Sequence, residues 1–148
     1  MKKVLIIIGA MLLLCGCQSN ESITYLDINK ASSALDSKYG NMNAMDKSEL
    51  ETIYGLDTSK FIEYQIKSST SSNGNFYAII KVDDANKKNA QDQMKNMFSI
   101  LENQSNLYSP EAVKLLKNRL ETSVGNYLIY IVSDNNNAYY DVLKGFIN

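Results

Sequence analysis

The chain has no histidine, no tryptophan, one proline and only two cysteines in 148 residues. Without histidine it lacks the commonest general base and the commonest neutral metal ligand. Both cysteines, Cys15 and Cys17, fall in an N-terminal pattern that consumes them. Met1-Lys2-Lys3 leads into an apolar run from Val4 to Leu14, and Cys15-Gly16-Cys17 follows. Such a run is shorter than the about 20 residues that a membrane-spanning helix needs, so it reads as the apolar region of a secretory signal. Leu14-Cys15-Gly16-Cys17 fits a lipobox: aliphatic, small, small, cysteine.

In lipoprotein maturation the lipobox thiol takes a diacylglyceryl group and a peptidase cuts just before it. Gly16 suits the peptidase pocket, whereas Leu14 before Cys15 does not, so Cys17 is the expected acceptor. Cys15 then leaves with the signal and Cys17 becomes a thioether. The mature chain is left without a free thiol, a disulfide or a thiolate metal site. More than one acyl chain on Cys17 exceeds the marginal hold of a single chain, which places the membrane itself among the partners. The expected organisation is a cleaved signal over residues 1–16, a lipidated cysteine and tether over 17–25, and one domain over 26–148. Gln18 to Thr24 would reach at most about 25 Å when extended.

A large excess of charge of either sign is also lacking, with 15 basic against 16 acidic residues. The formal net charge is −1, and removal of Lys2 and Lys3 with the signal makes the rest more acidic. No basic cluster follows Cys17, which argues against nucleic acid and against electrostatic lipid binding. The expected location is the extracytoplasmic face of the cell membrane. The Lys-, Asn- and Ile-rich composition suits a Gram-positive host.

Periodicity organises the rest. Ile28, Ala31 and Leu35 share a helical face behind Asp27, a plausible N-cap. Asp46-Lys-Ser-Glu49 reads as a capping-box variant before a short helix. Phe61 to Ser68 alternates, with Ile62, Tyr64 and Ile66 on one face. Asn73-Gly74 marks a turn before a strand over residues 75–82. A long helix is predicted from Asp84 to Asn106, with Ala90, Met94, Met97, Phe98 and Leu101 along one side. Ser109-Pro110-Glu111 starts another helix. A second hairpin turns at Gly125-Asn126, and Tyr139, Val142, Leu143 and Phe146 share a face of the closing helix.

The segment Gly74 to Asp84 is echoed by Gly125 to Asn135: strand, acidic cap, amphipathic helix. Two such ββα units predict an α+β fold, a two-layer sandwich with a four-stranded antiparallel sheet packed by helices. The strand at 126–133 is apolar on both faces, which places it centrally and calls for cover on the second face by the N-terminal helices or by a partner.

Glu49-Leu50, Tyr54-Gly55-Leu56-Asp57, Tyr108-Ser109-Pro110-Glu111, Gly125-Asn126-Tyr127 and Ser133-Asp134 recur in this order in one family. The chain resembles the uncharacterised bacterial lipoproteins that carry the domain of unknown function numbered 4358. The likeness spans Asp46 to Asn148. It implies a compartment and a fold, and Cys17 is the functional residue it carries over.

Asp83-Asp84 and Asp134-Asn135 each precede a helix and read as caps. A calcium loop from Asp134 would need Gly and Glu where the chain has Tyr139 and Gly145, so no metal site is assigned and no cofactor is implied. Ten tyrosines against four phenylalanines is the stronger signal, because tyrosine suits recognition surfaces. Tyr127, Tyr130, Tyr139 and Tyr140 could edge the core or line a groove for a peptide or glycan. The expected function is a non-enzymatic binding or scaffolding lipoprotein for an envelope protein, peptide or glycan. The alternatives are a carboxylate-dependent hydrolase or transferase acting on envelope material, and a small solute-capturing lipoprotein.

Overall fold

The computed structural model describes residues 24–70 and 74–148. Cys17, the signal and most of the tether lie outside these residues. Helix α1 (Ile28–Tyr39) is followed by strand β1 (Met42–Ala44), helix α2 (Lys47–Thr52) and a 3₁₀ turn at Thr58–Lys60. Strands β2 (Glu63–Ser69) and β3 (Phe76–Lys81) form the first hairpin, and α3 (Asp84–Ser105) and α4 (Pro110–Lys117) come next. Strands β4 (Leu120–Val124) and β5 (Tyr127–Val132) form the second hairpin before α5 (Asn136–Lys144).

Local chemistry accounts for most of these boundaries. The Asp27 carboxylate accepts from the Lys30 N–H at 3.0 Å and so satisfies a free amide at the start of α1. Asp83 does the same for Asn86 at 2.8 Å, and the Ser109 hydroxyl accepts from Ala112 at 3.3 Å with Pro110 beside it at the first turn of α4. The cap of α5 is Asn135, which accepts from the Ala138 N–H at 3.2 Å; the expected acidic cap, Asp134, stands exposed one position earlier. Gly125, at φ 53°, takes the first central position of the two-residue turn between β4 and β5, where a positive φ is required.

The sheet is antiparallel throughout, in the order β1-β2-β3-β5-β4. It therefore has five strands, not the four expected. The additional one, β1, is three residues long and is held by pairing Met42, Asn43 and Ala44 with Ser69, Ser68 and Lys67. A strand so short has no readable alternation and exists through its partner. Ile62 also departs from expectation: it precedes β2 and stands exposed, while Phe61 turns inward in its place.

Helices cover both faces of the sheet, which corrects the two-layer arrangement. On one side Phe76, Ala78 and Ile80 of β3, with Leu128, Tyr130 and Val132 of β5, pack against Leu50 of α2, Met94, Met97 and Phe98 of α3, and Leu116 of α4. On the other side Tyr77 and Ile79, with Tyr127, Ile129 and Ile131, pack against Ile28, Ala31 and Leu35 of α1 and Leu143 of α5. The echo in the sequence explains this. Phe76, Ala78 and Ile80 face α3, and their counterparts Tyr127, Ile129 and Ile131 face α5, so each helix covers the equivalent face of its own hairpin. The register places Phe76 opposite Val132, and Ala78 opposite Tyr130. Antiparallel pairing in that register turns the two hairpins opposite faces up. The same local pattern thus sends α3 and α5 to opposite sides. The α1 helix completes the second layer, as the double-sided apolar strand requires.

The sheet has two distinct ends. At one, Tyr25 and Asn148 exchange backbone hydrogen bonds at 3.1 and 2.9 Å, Leu26 bridges to Ile147, and the Lys87 ammonium donates to the Gly125 carbonyl at 2.8 Å. Thr24 lies against Gly125 there. At the other end lie the close of α3, the start of β4, and the passage from β5 into α5.

Candidate functional site

The structure does not gather the four singled-out tyrosines. Tyr127 and Tyr130 are both buried and point to opposite faces of β5. Tyr130 packs against Phe98 at 5.5 Å between ring centroids, and burial pushes its phenol well above the ordinary tyrosine value, aided by the nearby Glu121 charge. Tyr139 stacks on Tyr39 at 3.8 Å, with the Lys38 ammonium 5.2 Å from its ring centre. Tyr140 sits on the same layer, with the Lys144 ammonium 5.7 Å from its ring centre. Three of the four therefore belong to the α1–α5 layer and the fourth to the α3 layer. No groove holds them together.

A polar network that sequence reasoning missed crosses that layer. The Tyr77 hydroxyl donates to one Asp36 oxygen at 2.7 Å and lies 2.7 Å from the Ser32 hydroxyl. The Lys67 ammonium donates to the other Asp36 oxygen at 2.6 Å. Ser32 and Asp36 are four residues apart on α1, hence on one face, and they sit beside the apolar Ala31 and Leu35. Polar residues bordering an apolar stripe were the available signal. Burial pushes the Tyr77 phenol up, reinforced by Asp36, so it stays a neutral donor. Tyr77 is fully buried, so the network locks α1 to β2 and β3 and presents no reacting group to a ligand.

The accessible concavities lie elsewhere. A polar cleft of about 540 Å³ opens at the far end of the sheet from Thr24, lined by Asn118, Arg119, Glu121, Asp134 and Asn137 among others. A second hollow of about 420 Å³ adjoins it, lined by Glu111, Lys114, Leu115, Ser133 and Asp134. Asn118, Asp134 and Asn136 line both. Asn136 is fixed on three sides: its amide oxygen accepts from the Ser133 N–H at 2.8 Å and hydroxyl at 3.1 Å, and its amide nitrogen donates to the Asn118 carbonyl at 2.7 Å. Arg119 forms the wall behind. Its guanidinium donates to Glu121 at 2.6 Å, to Glu102 at 2.8 Å and to the Leu116 carbonyl at 2.8 Å, and lies 4.3 Å from the Phe98 ring centre. With three of its five N–H donors engaged and its charge paired with two carboxylates, Arg119 shapes the cleft more than it offers a free cation. Ser109-Pro110-Glu111 and Ser133-Asp134, separate motifs in the sequence, meet at the smaller hollow through α4 and the β5–α5 junction.

Among the described residues no group of three or more acidic side chains could hold a metal ion, and no helix is long and apolar enough to cross a membrane. Every buried side-chain polar atom among them has a hydrogen-bond partner. What this end offers is therefore an array of amides and carboxylates on a rigid frame, suited to hydrogen bonding.

These features define an α+β domain with a five-stranded antiparallel sheet covered by helices on both faces. The chain belongs to the family described as Domain of unknown function (DUF4358), whose model matches residues 34–133. No curated protein and no solved structure matches the chain.

Proposed function

We propose that the protein is a lipid-anchored, extracytoplasmic binding domain, held by a diacylglyceryl group on Cys17, whose binding end is the one opposite its tether. The observation that carries this reading is polarity of the fold. Thr24, through which any anchor at Cys17 must pull, lies at the Gly125 end of the sheet, and the clefts lie at the opposite end. The α3 helix runs between the two ends, and its 22 residues span about 33 Å. The exposed pair Leu107 and Tyr108 follows α3 at the cleft end, where apolar surface favours contact with another molecule. The ligand class that fits an amide- and carboxylate-lined cleft is an envelope peptide or glycan rich in hydrogen-bonding groups.

Two measurements test this. Replacing Cys17 by Ser should abolish acyl labelling and release the chain from the membrane fraction; retention of the label would refute the anchor. A photo-cross-linking residue at Asn137 on intact cells should capture a specific envelope partner, and one at Lys88, near the Thr24 end, should not. Equal capture from both positions would refute the assignment of the binding end.

A second reading has one observation behind it. Glu121 and Asp134 line the same cleft, as a carboxylate-dependent hydrolase or transferase requires. The ion pair between Glu121 and Arg119 leaves that carboxylate committed, which favours binding over turnover.

A further inference from the structure

The two edges of the sheet are built differently. On one side β1 is three residues long, and the chain enters it through Asn41 at φ 47°, so that edge is blunted. On the other side β4 is five residues long, regular, free of proline and lysine, and among the described residues its strand partner is β5 alone. Edges of that kind are what folds ordinarily protect.

The register shows what β4 offers. A two-residue turn makes Val124 and Tyr127 a hydrogen-bonded pair, and alternation extends this to Thr122 with Ile129 and Leu120 with Ile131. The N–H and C=O groups of Glu121 and Ser123 therefore point outward from the sheet. Leu120, Thr122 and Val124 lie half-buried on the face shared with α1 and α5, while Glu121 and Ser123 lie on the α3 face beside a cleft of about 480 Å³.

We propose that β4 pairs antiparallel with β4 of a second copy of this chain, about a twofold axis through Thr122. This register brings the outward groups of Glu121 against those of Ser123 in the second copy. It sets Thr122 against Thr122, and Leu120 against Val124. All of these cross-strand pairs are favourable: Thr–Thr, aliphatic with aliphatic, and carboxylate with hydroxyl. The neighbouring registers are worse. Centring on Glu121 opposes two carboxylates, and centring on Ser123 leaves Leu120 opposite the turn. The sequence of β4 is thus self-complementary in one register, which selects a second copy over an unrelated strand. The pairing would join two five-stranded sheets into one and run the strands of the two copies in opposite directions. Both Thr24 ends then reach one membrane with the joined sheet lying along its surface, within the about 25 Å that seven extended residues span.

The interface is one strand wide, so covalent trapping reads it better than sizing of dilute protein. In the proposed register the two Thr122 residues form a non-hydrogen-bonded pair with Cα atoms about 4.5 Å apart, inside the range a disulfide requires. The two Ser123 residues are offset along the strands by about 7 Å, which puts their Cα atoms beyond disulfide reach. The full chain carrying Thr122→Cys, oxidised in freshly opened cells before fractionation, should give a band of twice the mass on a non-reducing gel. The parent chain sets the background from Cys15 and Cys17. Ser123→Cys should stay at that background. Adding Ser123→Pro to Thr122→Cys should abolish the band, because it removes an outward N–H that β5 does not use. Absence of the Thr122→Cys dimer overturns the proposal. Equal cross-linking of Ser123→Cys, or a band joining Thr122→Cys to a different protein, overturns it as well.

Discussion

The Tyr77 network sets a stability test whose magnitude follows from its geometry. Tyr77→Phe keeps the buried ring and deletes a single oxygen, so packing against Tyr39, 5.8 Å away between ring centres, is retained. Two hydrogen bonds disappear: one to the Asp36 carboxylate and one with the Ser32 hydroxyl, both at 2.7 Å. A bond to a charged group contributes about 1.5–3 kcal/mol and a neutral one about 1 kcal/mol. The full sum overstates the loss. The Asp36 side chain is 32% exposed and keeps Lys67, so water can replace the phenol there. Ser32 is 3% exposed and has no such recourse beyond turning its hydroxyl to a backbone carbonyl of α1. The expected cost is about 2 kcal/mol, which for a domain of this size lowers the melting temperature by about 8 °C.

Urea unfolding should show this as a lower midpoint at unchanged slope. Lys67→Met should cost less, because Asp36 retains Tyr77 and gains water. Tyr77→Phe in a Ser32→Ala background should cost less than in the parent, since one of the two bonds is already gone. A Tyr77→Phe effect below about 0.5 kcal/mol would refute the reasoning, because only a fully water-compensated network behaves so.

Gly74→Ala should destabilise by about 2–4 kcal/mol, combining left-handed backbone strain with a steric clash. Gly74 has φ 72°, and an added Cβ would come within 2.7 Å of the Ala112 side chain and 3.0 Å of its backbone. Gly55→Ala, at φ 71° with only the end of the Asn96 side chain 4.0 Å away, should show the backbone strain with no clash, at about 1 kcal/mol; equal losses at the two sites in urea unfolding would refute the packing of the first hairpin against α4. Alkaline titration followed by tyrosinate absorbance gives a further test. Burial raises the phenols of Tyr39, Tyr77 and Tyr130. In the unfolded chain these groups ionise near pH 10, so their neutral form favours the native state fully below that value and stability falls as pH rises above it. At least these three of the ten tyrosines should therefore stay protonated at pH 11 and ionise together on unfolding; early ionisation of all ten in the folded chain would refute their burial.

Features of the fold that depend on neighbours in sequence were legible from it. Asp27, Asp83 and Ser109 cap helices because a side-chain acceptor three residues ahead of a free amide needs no tertiary context. The apolar face of α3 and the turn at Gly125 are local in the same sense. What was lost depends on pairing across the chain. The strand β1 exists only through β2, and the inward turn of Phe61 in place of Ile62 is set where the chain enters the sheet. For two of the tyrosines alternation alone is enough. Tyr127 and Tyr130 are three apart on a strand, and a period of two already sends them to opposite faces. The echo between the hairpins was visible, but its consequence was not. Whether α3 and α5 share a face depends on the register between β3 and β5, which no local pattern contains. The cleft end is non-local too, since Glu111 and Ser133 meet only after α4 has packed.

Length decides what the exposed pair Leu107 and Tyr108 can serve. These residues are 75% and 87% exposed, and exposed apolar side chains beside a lipid anchor invite the idea of insertion into the same membrane. The geometry opposes it. With a lipid on Cys17, the seven residues from Gln18 to Thr24 let Thr24 rise at most about 25 Å from the surface. For Leu107 to reach that surface the domain would have to stand inverted, with Thr24 above it by the length of α3, about 33 Å. A fully extended tether falls short, and ordering all of it would cost further entropy. The domain can lean, but it cannot stand on its far end. On the proposed anchor, then, the far end cannot be held upright against the membrane, and the apolar pair with the neighbouring clefts is left for contact with another molecule.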